Sequence, residues 1–173
     1  MKTNVALIGF MGVGKTVVGK ALAGRLNKEF VELDELIVNR AGKPITRIFA
    51  EDGEIYFRGL EIAVTKEIAG HKNQVIAGGG GIILNRINID RLKQNGIIVY
   101  LTASPAEILR RVAGDGGRPL LNTPDREKRI KELLALRKPL YEGAADIKIH
   151  TSWRSIDSVV NEIMEAIRTG NFQ

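Results

Sequence analysis

The chain has 173 residues and 44% hydrophobic content, enough for one well-buried core and short for two, so a single domain spanning 1–173 is expected. It contains no cysteine, which excludes a disulfide framework or a thiolate metal site and leaves nothing that marks an oxidising compartment. A net charge of +6 favours anionic partners, but the basic stretch from Arg110 to Lys138 has no aromatic residue to stack on bases and is interrupted by Asp115, Asp125, Glu127 and Glu132, which argues against nucleic acid.

Short apolar, β-branched runs alternate with longer segments of helical period, the pattern of an α/β three-layer sandwich with a parallel sheet flanked by helices. The first run, Val5–Ile8, stops at Gly9 and is too short for a signal segment or a membrane span, so a buried strand is expected in a cytoplasmic protein that does not engage membranes. Immediately after it, Gly9-Phe10-Met11-Gly12-Val13-Gly14-Lys15-Thr16 fits G-x-x-x-x-G-K-[ST] and opens a helix expected over Lys15–Leu26. Glycines let the backbone close around phosphate oxygens, and the helix N-terminus directs its N–H groups and its dipole at them. Gly12, Val13, Gly14, Lys15, Thr16 and Val17 are the expected ATP cradle, with Lys15 bridging the β- and γ-phosphates and the Thr16 hydroxyl offered to Mg²⁺.

The second strand, expected over Phe30–Leu33, would alternate so that Glu32 and Asp34 point to one side at the carboxyl end, where open α/β sheets bind ligands. Two carboxylates there suit metal and acceptor duties; the alternative is an aspartate capping a helix that starts near Glu35. In the helix expected over Glu54–Ala69, Glu54, Arg58 and Glu61 share one face, so the carboxylates can hold the guanidinium ready for a substrate carboxylate, unless they form an ordinary surface ladder. A third strand, Val75–Ala77, runs into Gly78-Gly79-Gly80-Gly81 and not into the aspartate often found there, and such a run implies close approach to the backbone or a wide turn.

A fourth strand, Ile97–Leu101, precedes Ser104-Pro105-Ala106-Glu107, a helix start with an N-cap serine and a first-turn proline, and the helix is expected to reach Ala113. Gly114-Asp115-Gly116-Gly117 reads as a mobile lid segment that delivers Arg118 to the transferring phosphate, the lid covering about residues 112–123. A helix over Pro124–Lys138, capped by Thr123, is expected to end at Arg137-Lys138-Pro139-Leu140-Tyr141. The last strand, Ile147–His150, and a helix capped by Ser155 over Ile156–Arg168 complete the chain. Neither D-x-x-G nor a complete N-K-x-D occurs, which disfavours a guanine-nucleotide switch.

Taken in order, the P-loop, Glu32-Leu33-Asp34, Ile48-Phe49, Gly53-Glu54, Phe57-Arg58, Gly79-Gly80-Gly81, Arg118-Pro119-Leu120-Leu121 and Arg137…Pro139-Leu140-Tyr141 resemble the shikimate kinases, a family of the P-loop kinase fold. The resemblance runs through nearly the whole chain. It implies ATP-dependent phosphorylation of the 3-hydroxyl of shikimate in aromatic amino acid biosynthesis, with Mg²⁺, in a monomer. It implies that Asp34 bonds the ring hydroxyls, including the attacking one, within an acceptor-binding region at about 32–61. Arg58 and Arg137 would clamp the carboxylate beside the backbone of Gly79, Gly80 and Gly81, with Phe49, Phe57, Pro119 and Leu120 as apolar walls. Lys15 and Arg118 would stabilise charge on the γ-phosphoryl group, and Arg111, with Trp153 and Arg154, would flank adenine.

One position departs from the family's pattern: Glu32 stands where an aspartate is usual, so its contact with the metal would run through a bound water. A gluconate or nucleoside monophosphate kinase would share the fold and the P-loop. A nucleotide-binding regulatory module would keep the P-loop without the arginine clamp.

Overall fold

In a computed structural model, residues 2–114 and 119–170 are described. Five parallel strands form one sheet in the order β2-β3-β1-β4-β5, with β1 at Asn4–Ile8, β2 at Glu29–Glu32, β3 at Gln74–Ala77, β4 at Gly96–Thr102 and β5 at Ile147–His150. The central strand is buried along its whole length and pairs Val5 with Val75 on one side and with Ile97 on the other. Its side chains alternate between two separate cores. Val5 and Leu7 join one cluster, while Ala6 and Ile8 join the other, which is the period-two geometry of a strand packed on both faces. The result is the three-layer sandwich expected from the hydrophobic pattern.

The first core receives α1 (Lys15–Leu26), α6 (Pro105–Val112) and α8 (Ile156–Thr169); the second receives α2 (Leu33–Ala41), α3 (Ile45–Glu51), α4 (Gly53–Ala69) and α5 (Arg86–Asn95). The long α7 (Arg126–Ala144) serves both, since Ile130 and Leu133 enter one cluster while Tyr141 and Ala144 enter the other. Close helix–strand packing is visible at Gly19 of α1, where an added Cβ would stand 2.6 Å from the Phe30 ring.

Several boundaries differ from the sequence-based expectation. The strand expected to reach Leu33 stops at Glu32, and Leu33 and Asp34 already belong to the first turn of α2. Asp34 therefore faces the site from a helix start and not by strand alternation. The helix expected to end before Pro139 continues to Ala144, with Pro139 inside it. Tyr141 and Ala144, beyond the expected stop, are buried at helical spacing from Arg137, and that burial carries the helix past the missing N–H. Its cap is Asp125, which accepts from the Lys128 N–H at 3.0 Å, and not Thr123. Ser104 and Ser155 do cap α6 and α8.

Candidate active site

The phosphate end is built by β1 and α1. Gly12 and Gly14 hold φ of 79° and 101°, conformations that L side chains rarely adopt, and Gly14 is the residue on which α1 starts. A Cβ on Gly12 would also stand 2.9 Å from Val112, so α6 fixes the outer side of the loop. The Lys15 ammonium donates to the carbonyls of Gly9 at 2.8 Å and Phe10 at 3.0 Å, folded over the loop it serves. The Thr16 hydroxyl donates to Glu32 at 2.6 Å. Burial pushes the Glu32 carboxyl above its ordinary range; the Thr16 hydrogen bond opposes this, and the nearby charge of Asp34 adds to it. Gly12, Gly14, Lys15, Thr16 and Val17 line one cleft with Glu32, Asp34, Gly78, Gly79, Gly80 and Arg111. A threonine hydroxyl against a carboxylate beside a phosphate cradle is the hard-oxygen donor set that suits Mg²⁺, which keeps most of its shell as water and phosphate.

Arg111 ties this cleft to the turn after β5. It donates to the Gly12 carbonyl at 3.1 Å and to the Thr151 carbonyl at 3.1 Å, while its Nε meets Glu107 at 2.8 Å. Glu107, almost fully buried, is held at a pKa of about 2 by hydrogen bonds and charge from Arg110 and then Arg111. Trp153 sits in that turn at φ 58°, 76% exposed, with the Arg110 guanidinium 5.6 Å from its ring centre. Arg154 is not brought to the P-loop: it bonds the His150 carbonyl, Ser158 and Glu162, along α8.

Asp34, Gly79 and Gly80 also line a second cleft, with Met11, Ile45, Phe49, Phe57, Arg58, Glu61, Gly81, Pro119, Leu120 and Arg137. Phe49 and Phe57 pack with ring centres 4.8 Å apart. Arg58 lies between Glu54 at 3.2 Å and Glu61 at 3.1 Å, so the pairing read from helical spacing is present. Glu61 is wholly buried, and burial pushes its carboxyl up against the lowering effect of Arg58. From α7, Arg137 reaches the Gly80 carbonyl at 3.3 Å and lies 5.9 Å from the Phe10 ring centre. The Nε atoms of both arginines are buried without a hydrogen-bond partner among the described residues.

The glycine run has a steric explanation. Its members do not adopt positive φ; a Cβ on Gly79 would stand 2.9 Å from Asp34, one on Gly80 3.2 Å from the Met11 nitrogen, and one on Gly81 would fall inside the Arg58 guanidinium. The close approach inferred from four glycines thus includes the chain's own charged groups. Arg118 lies outside the described residues, and Pro119–Leu121 form a 3₁₀ turn beside the cleft. Met11, Ile45 and Glu61 are lining residues that the sequence reading did not assign to the site. Glu61 was visible there as a brace for Arg58 and Met11 as a member of the P-loop, whereas Ile45 carries no local signal.

The family model described as shikimate kinase matches residues 11–168. A shikimate kinase from Pelotomaculum thermopropionicum is 44% identical over 98% of this chain and 98% of its own length. One from Caldanaerobacter subterraneus is 45% identical over 94% of this chain and 95% of its own. Among solved structures, the shikimate kinase from Acinetobacter baumannii in complex with shikimate superposes with a TM-score of 0.95 at 36% identity, covering 100% of this chain and 97% of that one.

Proposed function

The chain belongs to the shikimate kinase family, and on that premise we propose that it transfers the γ-phosphoryl group of ATP to the 3-hydroxyl of shikimate, giving shikimate 3-phosphate and ADP. The observation that carries this reading is the wall shared by the two clefts. Asp34, Gly79 and Gly80 belong to both, so an acceptor hydroxyl held on one side stands next to a phosphate held on the other.

In the transfer, the acceptor oxygen forms a bond to the γ-phosphorus as the bond to the β-phosphate oxygen breaks. The hydroxyl proton passes to the Asp34 carboxylate, and ADP leaves with the bridging oxygen. Lys15 leaves its loop carbonyls for the phosphate oxygens and offsets the charge that gathers on them. Arg118 adds a second cation from the lid, at about residues 112–123. Thr16 and Glu32 would hold Mg²⁺, Glu32 through a bound water. That ion supplies neutralisation of the phosphate charge.

Arg58 and Arg137, both lining the acceptor cleft, pair with the carboxylate of the acceptor. Phe49, Phe57, Pro119 and Leu120 enclose the ring. Arg111 flanks adenine. The enzyme works in the cytoplasm as a monomeric single domain, and among the described residues no helix is long and apolar enough to cross a membrane.

ADP release measured with shikimate, quinate, gluconate and nucleoside monophosphates tests the assignment. Turnover is expected with shikimate far above the others. Comparable turnover with gluconate or a nucleotide would refute it.

A further inference from the structure

Below the acceptor cleft lies a phenol that the mechanism has not used. Tyr141 is fully buried on α7, its ring stacked on Tyr100 of β4 with centres 4.9 Å apart and planes 16° apart. Its hydroxyl donates to the Gly80 carbonyl. The same carbonyl accepts from Arg137 at 3.3 Å, beyond the usual range of an N–H···O bond. Gly80 is a wall of both clefts. A planar, trans peptide moves as one body, so whatever fixes this carbonyl fixes the Gly80–Gly81 amide as well.

A carbonyl packed against a buried side chain needs a donor. Two are in reach, and they are unequal. The phenol points its hydroxyl at the carbonyl, while the guanidinium, one turn earlier on the same helix, reaches it only at 3.3 Å. Burial pushes the phenol well above its ordinary range, against the lowering effect of the charge and hydrogen bond of Arg137, so it stays protonated and able to donate.

We propose that Tyr141 is a positioning residue for the acceptor: by taking the Gly80 carbonyl, it keeps the glycine wall in place and leaves the Arg137 guanidinium for the substrate carboxylate. The inference rests on the reading of Arg137 as a carboxylate arm. Without the hydroxyl, Arg137 is the donor left in reach of that carbonyl and is drawn away from the substrate.

Tyr141→Phe keeps the ring and its stacking and removes only the donor. In this variant, KM for shikimate is expected to rise about tenfold, with kcat changed less than about threefold and KM for ATP unchanged, the size of one buried hydrogen bond. Shikimate affinity of the same variant, read by calorimetry without ATP and beside its melting temperature, is expected to weaken by the same factor, so that the test does not depend on turnover. Tyr100→Phe retains the stack and is expected to leave both KM values as in the parent. In the double variant Tyr141→Phe with Arg137→Lys, the losses should be less than additive, because both act through one guanidinium. A folded hydroxyl-free variant with unchanged KM for shikimate, a loss shared equally with ATP, or full additivity would each overturn the inference. A parent enzyme that releases no ADP with shikimate would instead overturn the substrate assignment on which it rests, a result visible before any variant is made.

Discussion

At the scale of single residues, the site is a set of charged groups, some buried and some half-buried, and their chemistry follows from their placement. Asp34 stands on the wall between the two clefts, at the first turn of α2. Asp34→Asn keeps the shape and removes the proton acceptor, so kcat for shikimate is expected to fall by about a hundredfold or more, with a smaller change in ATP affinity. An effect confined to ATP affinity would make it a metal-shell residue. Arg58 is more constrained, since Glu54 and Glu61 fix its guanidinium and Gly81 leaves room for it. Lysine cannot supply two parallel hydrogen bonds to a carboxylate. Arg58→Lys is expected to lose roughly 2–5 kcal/mol of transition-state binding to shikimate. An analogue with a neutral group in place of the carboxylate should react about equally with parent and variant; a parent indifferent to that replacement would remove the clamp. Much of this site was legible in the sequence because each piece depends on local spacing: a loop of eight residues, one helical face, a run of glycines. What escaped was contributed from elsewhere. Met11 belongs to the P-loop, but its place in the acceptor cleft, like that of Ile45, comes from tertiary packing, and no periodicity distinguishes either from core residues.

At the scale of elements, the same contrast recurs. Helices were readable where side-chain period and cap chemistry agree, as for α6 with its Ser104 cap and α8 with its Ser155 cap, while α1 was marked by the P-loop that opens it. The short helices α3 and α5 were not, because β-branched residues and lengths of seven and ten residues give a weak periodic signal; α2 was anticipated only as the alternative helix starting near Glu35, and it follows β2 without a loop. Pro139 was misleading since the burial of residues beyond it outweighs its local preference. Helix α6 shows how an element serves the site without entering the chemistry. Glu107 binds Arg110 and Arg111, and Arg111 in turn holds the Gly12 carbonyl of the P-loop. Folding lowers the Glu107 pKa from 4.5 to about 2, so the folded state binds this proton less readily than the unfolded one. The stability it contributes is therefore complete above about pH 4.5 and fades as the pH falls towards about 2. Parent and Glu107→Gln should differ in melting temperature at neutral pH and converge over that acid range. A difference that persists undiminished at the acid end would show that the carboxylate acts by packing and not by charge.

At the scale of the whole molecule, the strand order β2-β3-β1-β4-β5 explains why both clefts occur together. The chain leaves β1 towards one edge of the sheet and returns through β3 before crossing to β4, so the carboxyl ends of β1 and β3 open beside each other. The P-loop follows one, the glycine run follows the other, and Glu32 closes the adjacent end of β2. The Gly78 N–H donates to the Leu7 carbonyl at 3.0 Å, and Gly80 packs on Met11, so the two loops form one continuous surface. A ligand that settles the P-loop therefore touches a surface continuous with the wall of the acceptor cleft. Binding free energies obey linkage: if ADP changes the affinity for shikimate by some factor, shikimate must change that for ADP by the same factor. A coupling of several-fold is expected, within the roughly 1–3 kcal/mol typical of communicating sites. Calorimetric titration of shikimate with and without saturating ADP, and of ADP with and without saturating shikimate, measures both arms. Equal factors above one would show that the shared loops transmit occupancy between the clefts. Affinities independent of the other ligand would mean that the common wall is rigid enough to serve each cleft separately, and that catalysis draws on proximity alone.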